Sequence, residues 1–210
     1  MAIAYLTKQS CLIIGITLGL YAVYALRWRA LWYIGALVLT ISGSTLLFDA
    51  FTDGWFSYYV YELPKNHTMD IPVIISFWTD DILPKLPVVF AGGLAFFGLA
   101  RAPKERENLL FWLSCLIGSL VSSWSTRVFA GGFENALIPT SAVLAILSGL
   151  LLSRVTTLFQ KDVSRAAKPI LLGFAIIYCI QFYIFGYNPV AQLPTKADKS
   201  YGEQFISRMA

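Results

Sequence analysis

The stretch RVFAGGFENALIP, Arg127 to Pro139, gathers the residue types in this chain best suited to do chemistry. Arg127 carries a rigid fork of donors that suits the oxygens of a phosphate or a carboxylate. Gly131 and Gly132 let the backbone approach a ligand closely, and free amides in such a turn can hold an anion. Glu134 and Asn135 add an acceptor and a mixed donor–acceptor. Two readings fit these residues. One is a pocket for a phosphate-bearing lipid headgroup. The other is an arginine snorkelling from the end of a span, beside a glycine turn and paired with Glu134.

The remaining candidates are carboxylates: Asp49, Asp53, Glu62, Asp70, Asp80 and Asp81. A general base must lie within hydrogen-bond reach of the group it deprotonates, which a sequence does not reveal, so no catalytic residue is assigned. Asp80 and Asp81 stand just before an apolar run, where acids favour the start of a helix. His67 and Asp70 could begin a metal site, but a single histidine with scattered acids is a poor ligand set. No resident metal or cofactor is expected. Phosphate-loop, nucleophile-elbow, zinc-protease and dinucleotide motifs are all missing from the sequence. Asn66-His67-Thr68 matches the short glycosylation pattern, which is frequent by chance.

These residues sit in an apolar setting. Of 210 residues, 57% are hydrophobic, 15% aromatic and only 13% charged, and the mean hydropathy is +0.66. Soluble domains carry about 25% charged residues, so the composition points to an all-α polytopic membrane protein. Cys11, Cys115 and Cys179 each lie inside an apolar run and form no CxxC motif. They are expected to be small core residues without a disulfide.

Apolar runs bounded by charges predict about six spans, near residues 9–26, 30–48, 82–100, 109–126, 135–153 and 169–186. A crossing helix needs about 20 residues, and only helices satisfy the backbone in such runs. Alternate connections collect Arg27, Arg29, Arg101, Lys104, Arg106, Arg154, Lys161, Arg165 and Lys168 against only Glu105, Glu107 and Asp162. The positive-inside rule then places both termini outside. The net charge of +4 thus reads as a topology signal, and no nucleic-acid partner is expected. The long outer loop 49–81 is crowded with Trp55, Phe56, Tyr58, Tyr59 and Tyr61, predicting that Trp55–Leu63 lies along the interface. Residues 1–194 form the membrane module. Residues 195–210 turn polar, and 198–209 could begin an amphipathic helix.

The outer-face stretches DGWFSYYVYELPKNH, SFWTDDILPKLP, STRVFAGGFENALIPTSAVLAILSGL and YNPVAQLPTKADKSYGEQFISRM follow one another in that order. Together they resemble the later transmembrane half of bacterial membrane glycosyltransferases of the GT-C superfamily, relatives of the protein O-mannosyltransferases and the lipid A aminoarabinose transferase. The most distinctive part is the pattern Arg-x3-Gly-Gly-aromatic-acid-Asn-x3-Pro at Arg127, Gly131, Gly132, Phe133, Glu134, Asn135 and Pro139. The resemblance implies transfer of a sugar from a polyprenyl-phosphate donor to an acceptor, on the outer face of the cytoplasmic (inner) membrane. It makes Arg127, Gly131, Gly132, Glu134 and Asn135 candidate substrate-binding residues. Asp53 and His67, at the two ends of the first matched stretch, join them. In that superfamily the base is a carboxylate in the first outer loop of the earlier half, which this chain does not match. The chain is therefore expected to be a fragment or the product of a split gene, with a second chain as partner alongside the lipid-linked donor and membrane lipids. The competing expectations are a non-enzymatic membrane subunit or remnant, and a small transporter. A transporter calls for two similar halves or polar groups in mid-span. Here Thr17, Thr40, Ser42, Ser114 and Gln181 are the few mid-span polar residues.

Overall fold

The computed structural model describes residues 2–98, 106–129, 131–161, 167–184, 186, 190 and 193–209. These are helical almost throughout. In chain order α1 is Ala2–Thr7, α2 Cys11–Leu26, α3 Ala30–Thr52, α4 Trp55–Ser57, α5 Leu63–Lys65 and α6 Ile71–Ser76. Next come α7 Leu83–Lys85, α8 Pro87–Gly98, α9 Arg106–Val128, α10 Ile138–Lys161, α11 Ala167–Ile184 and α12 Lys196–Met209. Among the described residues the only strand-like pairing is an isolated antiparallel bridge between Met69 and Phe129. The fold is all-α, as its composition predicts.

Among the described residues, three helical stretches are long and apolar enough to cross a membrane: Cys11–Thr52, Asn108–Val128 and Glu134–Thr157. A fourth is the pair Ile71–Lys85 and Pro87–Gly98, if the two are counted as one span bent by 93°. The apolar helix Leu171–Ile184 is shorter. Cys11–Thr52 does not run straight. Tyr33 donates its hydroxyl proton to the Gly15 carbonyl at 3.1 Å, whereas eighteen residues of straight helix would separate the two by about 27 Å. The chain reverses at Arg27–Arg29, a 3-10 turn in which Arg27 takes φ +51°, so α2 and α3 form a hairpin.

The helices alternate in direction. Ser122, near the end of α9, donates to the Ser10 carbonyl at the start of α2. Arg154, late in α10, stacks its guanidinium 4.3 Å above the Phe96 ring, late in α8. Of the basic residues expected to share that end, Arg101, Lys104 and Arg165 lie outside the described residues, as does the run 187–189.

The core lies among the 77–86 segment, α8, α9 and α10, where Phe77, Ile82, Leu86, Leu144 and Leu147 are buried completely or nearly so. In lipid, such contacts depend on close packing more than on the exclusion of water, and small residues provide it. Ser119, Ser123 and Thr140 make a buried polar seam between α9 and α10, the Thr140 hydroxyl donating to the Ser119 carbonyl at 2.9 Å. Gly118 brings α9 against α2: a Cβ there would overlap the Thr17 hydroxyl and lie 3.0 Å from Ile14 Cα. Gly118→Ala is expected to destabilise the protein by about 1–3 kcal/mol through overpacking. Thr17→Ala should restore part of that loss, and double-mutant unfolding in mixed micelles reads the coupling.

The expected third span, 82–100, is corrected by the structure. Its helix begins only at Pro87, after a break at Leu86 (φ −121°, ψ 29°). The physical cause is proline, which has no N–H to donate and clashes with the preceding turn. The three cysteines also differ from expectation: Cys11 and Cys115 are half-buried, and Cys179 is exposed on α11.

One local motif recurs. Tyr58–Glu62 and Phe77–Ile82 are both π-helical turns, and each is followed by Leu-Pro-Lys. Leu63 donates to the Tyr58 carbonyl and Leu83 to the Trp78 carbonyl, the wider i+5 register. In each case the ladder has already shifted where the proline withholds its donor.

Candidate functional site

At the end of the bundle where α9 stops and α8 and α10 begin, four charged side chains meet. Asp81 lies in the π turn and its side chain is only 3% exposed. Its Oδ2 accepts from Arg127 Nε at 2.9 Å and its Oδ1 from Lys85 Nζ at 2.7 Å. Lys85 also donates to Glu134 Oε1 at 2.9 Å. Arg127 Nη1 donates to the Gly132 carbonyl at 2.8 Å. A buried carboxylate is costly unless paired, and here each oxygen has its own cation. Glu134 contrasts with it, its side chain being 76% exposed.

The loop between α9 and α10 is built to close this arrangement. The Gly132 amide donates to the Phe129 carbonyl at 2.9 Å, closing a turn. Gly131 takes φ +86° at its third position, where a turn of this kind favours glycine. A Cβ on Gly132 would fall 2.7 Å from the Arg127 carbonyl, so only glycine brings this carbonyl up to the guanidinium. The Asp70 amide donates to the Val128 carbonyl at 2.8 Å and joins the earlier loop to the same place.

The proline break is satisfied by a single side chain from α11. Gln181, 2% exposed, accepts from the Val88 amide at 3.0 Å and donates to the Lys85 carbonyl at 2.8 Å. Both backbone groups lie within the interruption. Gln181 thereby fixes the direction from which Lys85 enters the cluster, and it puts the C-terminal part of α11 at this same end.

Arg127, Gly132 and Glu134 are thus brought together, but their pairing differs from the sequence expectation. Arg127 holds Asp81 and the loop carbonyl, and Glu134 holds Lys85. The Gly132 amide is taken by the turn, so it is not free for an anion. Asn135 is exposed in the 3-10 turn Glu134–Leu137, and Gly131 is exposed beside it. Asp53 is exposed at the end of α3 in a left-handed conformation (φ +49°), its amide donating to the Asp49 carbonyl. His67 is exposed, its amide donating to the Pro64 carbonyl before the bridge at Met69. Asp49 holds the next turn, accepting from the Ser57 amide at 2.8 Å and from the Ser57 hydroxyl.

Lys85 and Gln181 are not among the sequence candidates, and Asp81 is there only as one carboxylate of six. Asp81 was read as a helix-start charge, whereas it sits buried near the end of a helical segment. The legible signals were the four-residue spacing of Asp81 and Lys85, which makes a helical ion pair, and an ionisable residue inside an apolar run. No set of three or more His, Cys, Asp or Glu among the described residues is placed to bind a metal.

An apolar groove of about 620 Å³ lies along α8, and none of the four charged residues lines it. It starts at Pro87 and Val88, runs along α8 past Gly92 and Ala95 to Gly98, and is walled by Leu151 and Val155 of α10 and Phe174, Ile177 and Tyr178 of α11. Compared with known proteins, the chain matches no family model, no curated protein and no solved structure.

Proposed function

We propose that this chain is the membrane module of a glycosyltransferase that takes its sugar from a polyprenyl-phosphate donor. The observation that carries the reading is the gathering of Lys85 and Arg127 on one buried carboxylate, with an apolar groove that begins two residues beyond Lys85, at Pro87. Two cations oriented by one carboxylate suit the oxygens of a phosphate. The groove offers the isoprenoid tail a dry path beside it. On this reading the donor phosphate displaces the exposed Glu134 from Lys85, while Arg127 keeps Asp81. Asn135 and Gly131, and Asp53 and His67 from the earlier loop, are the proposed contacts for the sugar and acceptor. The hairpin at Arg27 and the alternating helices support six spans, with the cluster on the outer face of the cytoplasmic membrane and the basic connections inside.

The alternative is a purely structural clasp in a non-enzymatic membrane protein, favoured by the balance of two acids and two bases within the cluster. Titration of the full chain in nanodiscs with polyprenyl phosphate separates the two. Arg127→Ala and Lys85→Gln are each expected to weaken binding about 10–100-fold, the worth of a charge-assisted hydrogen bond. If variants that retain the fold bind as the parent does, the glycosyltransferase reading fails and the clasp stands.

A further inference from the structure

We propose that α12 lies flat in the lipid headgroup layer, on the membrane face that carries the charged cluster. The inference does not depend on the glycosyltransferase reading.

At 100° per residue, Tyr201, Phe205, Ile206 and Met209 fall on one arc of α12. Each is more than 60% exposed, so the bundle does not cover this face. Lys199 and Arg208 stand on the two borders of the arc, and Glu203 lies just beyond Lys199, its carboxylate 4.0 Å from that ammonium with both side chains largely exposed. That is the pattern of an interfacial helix: an apolar face for the acyl boundary, flanked by long cations whose stems snorkel to phosphates. Tyr201 adds an amphipathic ring of the kind enriched at that depth.

Asp198 is the one acid that falls within the arc, and the fold turns it away. Its carboxylate accepts from both the Thr195 amide and the Thr195 hydroxyl at 2.7 Å. The Asp198 amide in turn donates to that hydroxyl at 3.2 Å, a reciprocal cap on the helix start. These hydrogen bonds, the side-chain one first, hold Asp198 below the usual carboxylate range.

The membrane is within reach. Gln181 fixes the end of α11 at the cluster, and the connection 185–195 spans at most roughly 40 Å. The start of α12 is therefore within reach of the membrane interface.

Nitroxide accessibility on the full chain, reconstituted with phosphatidylethanolamine and phosphatidylglycerol, tests this. Labels go on Phe205→Cys and Ser207→Cys in a chain with Cys11, Cys115 and Cys179 replaced by alanine. If that chain does not insert, a keto amino acid at position 205 of the native chain carries the label. Position 205 is expected to be open to oxygen and roughly fivefold less open than 207 to an aqueous nickel chelate, as for an apolar face buried in the acyl boundary. Charge reversal by K199E with R208E should raise nickel access at 205. High nickel access at both positions would overturn the proposal in favour of a solvated helix. Low access to both probes at 205 would overturn it in favour of a protein partner.

Discussion

Asp81→Ala is expected to cost about 3 kcal/mol of stability, near the lower end of what removing one partner from a buried ion pair costs. The loss exceeds that of an ordinary ion pair because one carboxylate serves two cations. With it gone, Arg127 remains in a partly buried site with no counter-ion, and Lys85 keeps only the exposed Glu134. The two cations are 24% and 35% exposed, so water recovers part of the penalty, which keeps the figure from rising further. Asp80→Ala is the control, an exposed carboxylate that takes only a hydrogen bond from its neighbour Thr79, and it should stay within about 0.5 kcal/mol of the parent. Reversible unfolding in mixed micelles measures both. Equal stabilities for the two variants would show that the cluster holds nothing together. Asp81→Leu combined with Arg127→Met and Lys85→Met should recover much of the loss, since apolar replacement of a whole buried ion network is often neutral or better.

Gln181→Met carries the second large effect. The side chain keeps its length and loses both its donor and its acceptor. The Lys85 carbonyl and the Val88 amide then have no side-chain partner at the break, and each buried unsatisfied group costs about 1–3 kcal/mol. A total loss of about 2–6 kcal/mol is expected. Pro87 prevents the bend from straightening into one helix, so the expected structural change is a looser bend. Spin labels on the exposed Ile75 and Leu94 should give a broader distance distribution in Gln181→Met than in the parent. An unchanged distribution with unchanged stability would mean that the break holds itself. Gln181→Glu keeps the acceptor for Val88 but not the donor to Lys85, and it tests which of the two bonds matters more.

The apolar runs made the helices legible, because length and hydropathy act locally. Their starts at Ala30 and their ends near Leu26 lie close to where the bounding arginines place them. Arg127 and the paired glycines were also legible, since a turn needing φ > 0 and a guanidinium at a helix end both leave marks in residue type. The pairing was not. Asp81 and Arg127 are far apart in sequence, and Glu134, the acid near Arg127 in sequence, is instead taken by Lys85. Gln181 read as one mid-span polar residue among several. Its partners are backbone groups freed by a proline three helices earlier, and no residue-type pattern marks a main-chain carbonyl as waiting for a donor. The hairpin at Arg27 was visible as charge, and the break at Leu86 only as the proline after it.

The π turn at Phe77–Ile82 has a consequence for comparing this chain with others. A π turn holds one residue more than the α-helix would, and one residue corresponds to about 100° of rotation. A relative lacking a single residue there would be plain α-helix, with everything upstream turned by that angle relative to Pro84. An alignment would still match its acid and its lysine, but an aligned Asp81 would face elsewhere. A one-residue gap at this point therefore carries more information than a substitution, because it separates chains that can build the Asp81–Arg127 pair from chains that only share its letters.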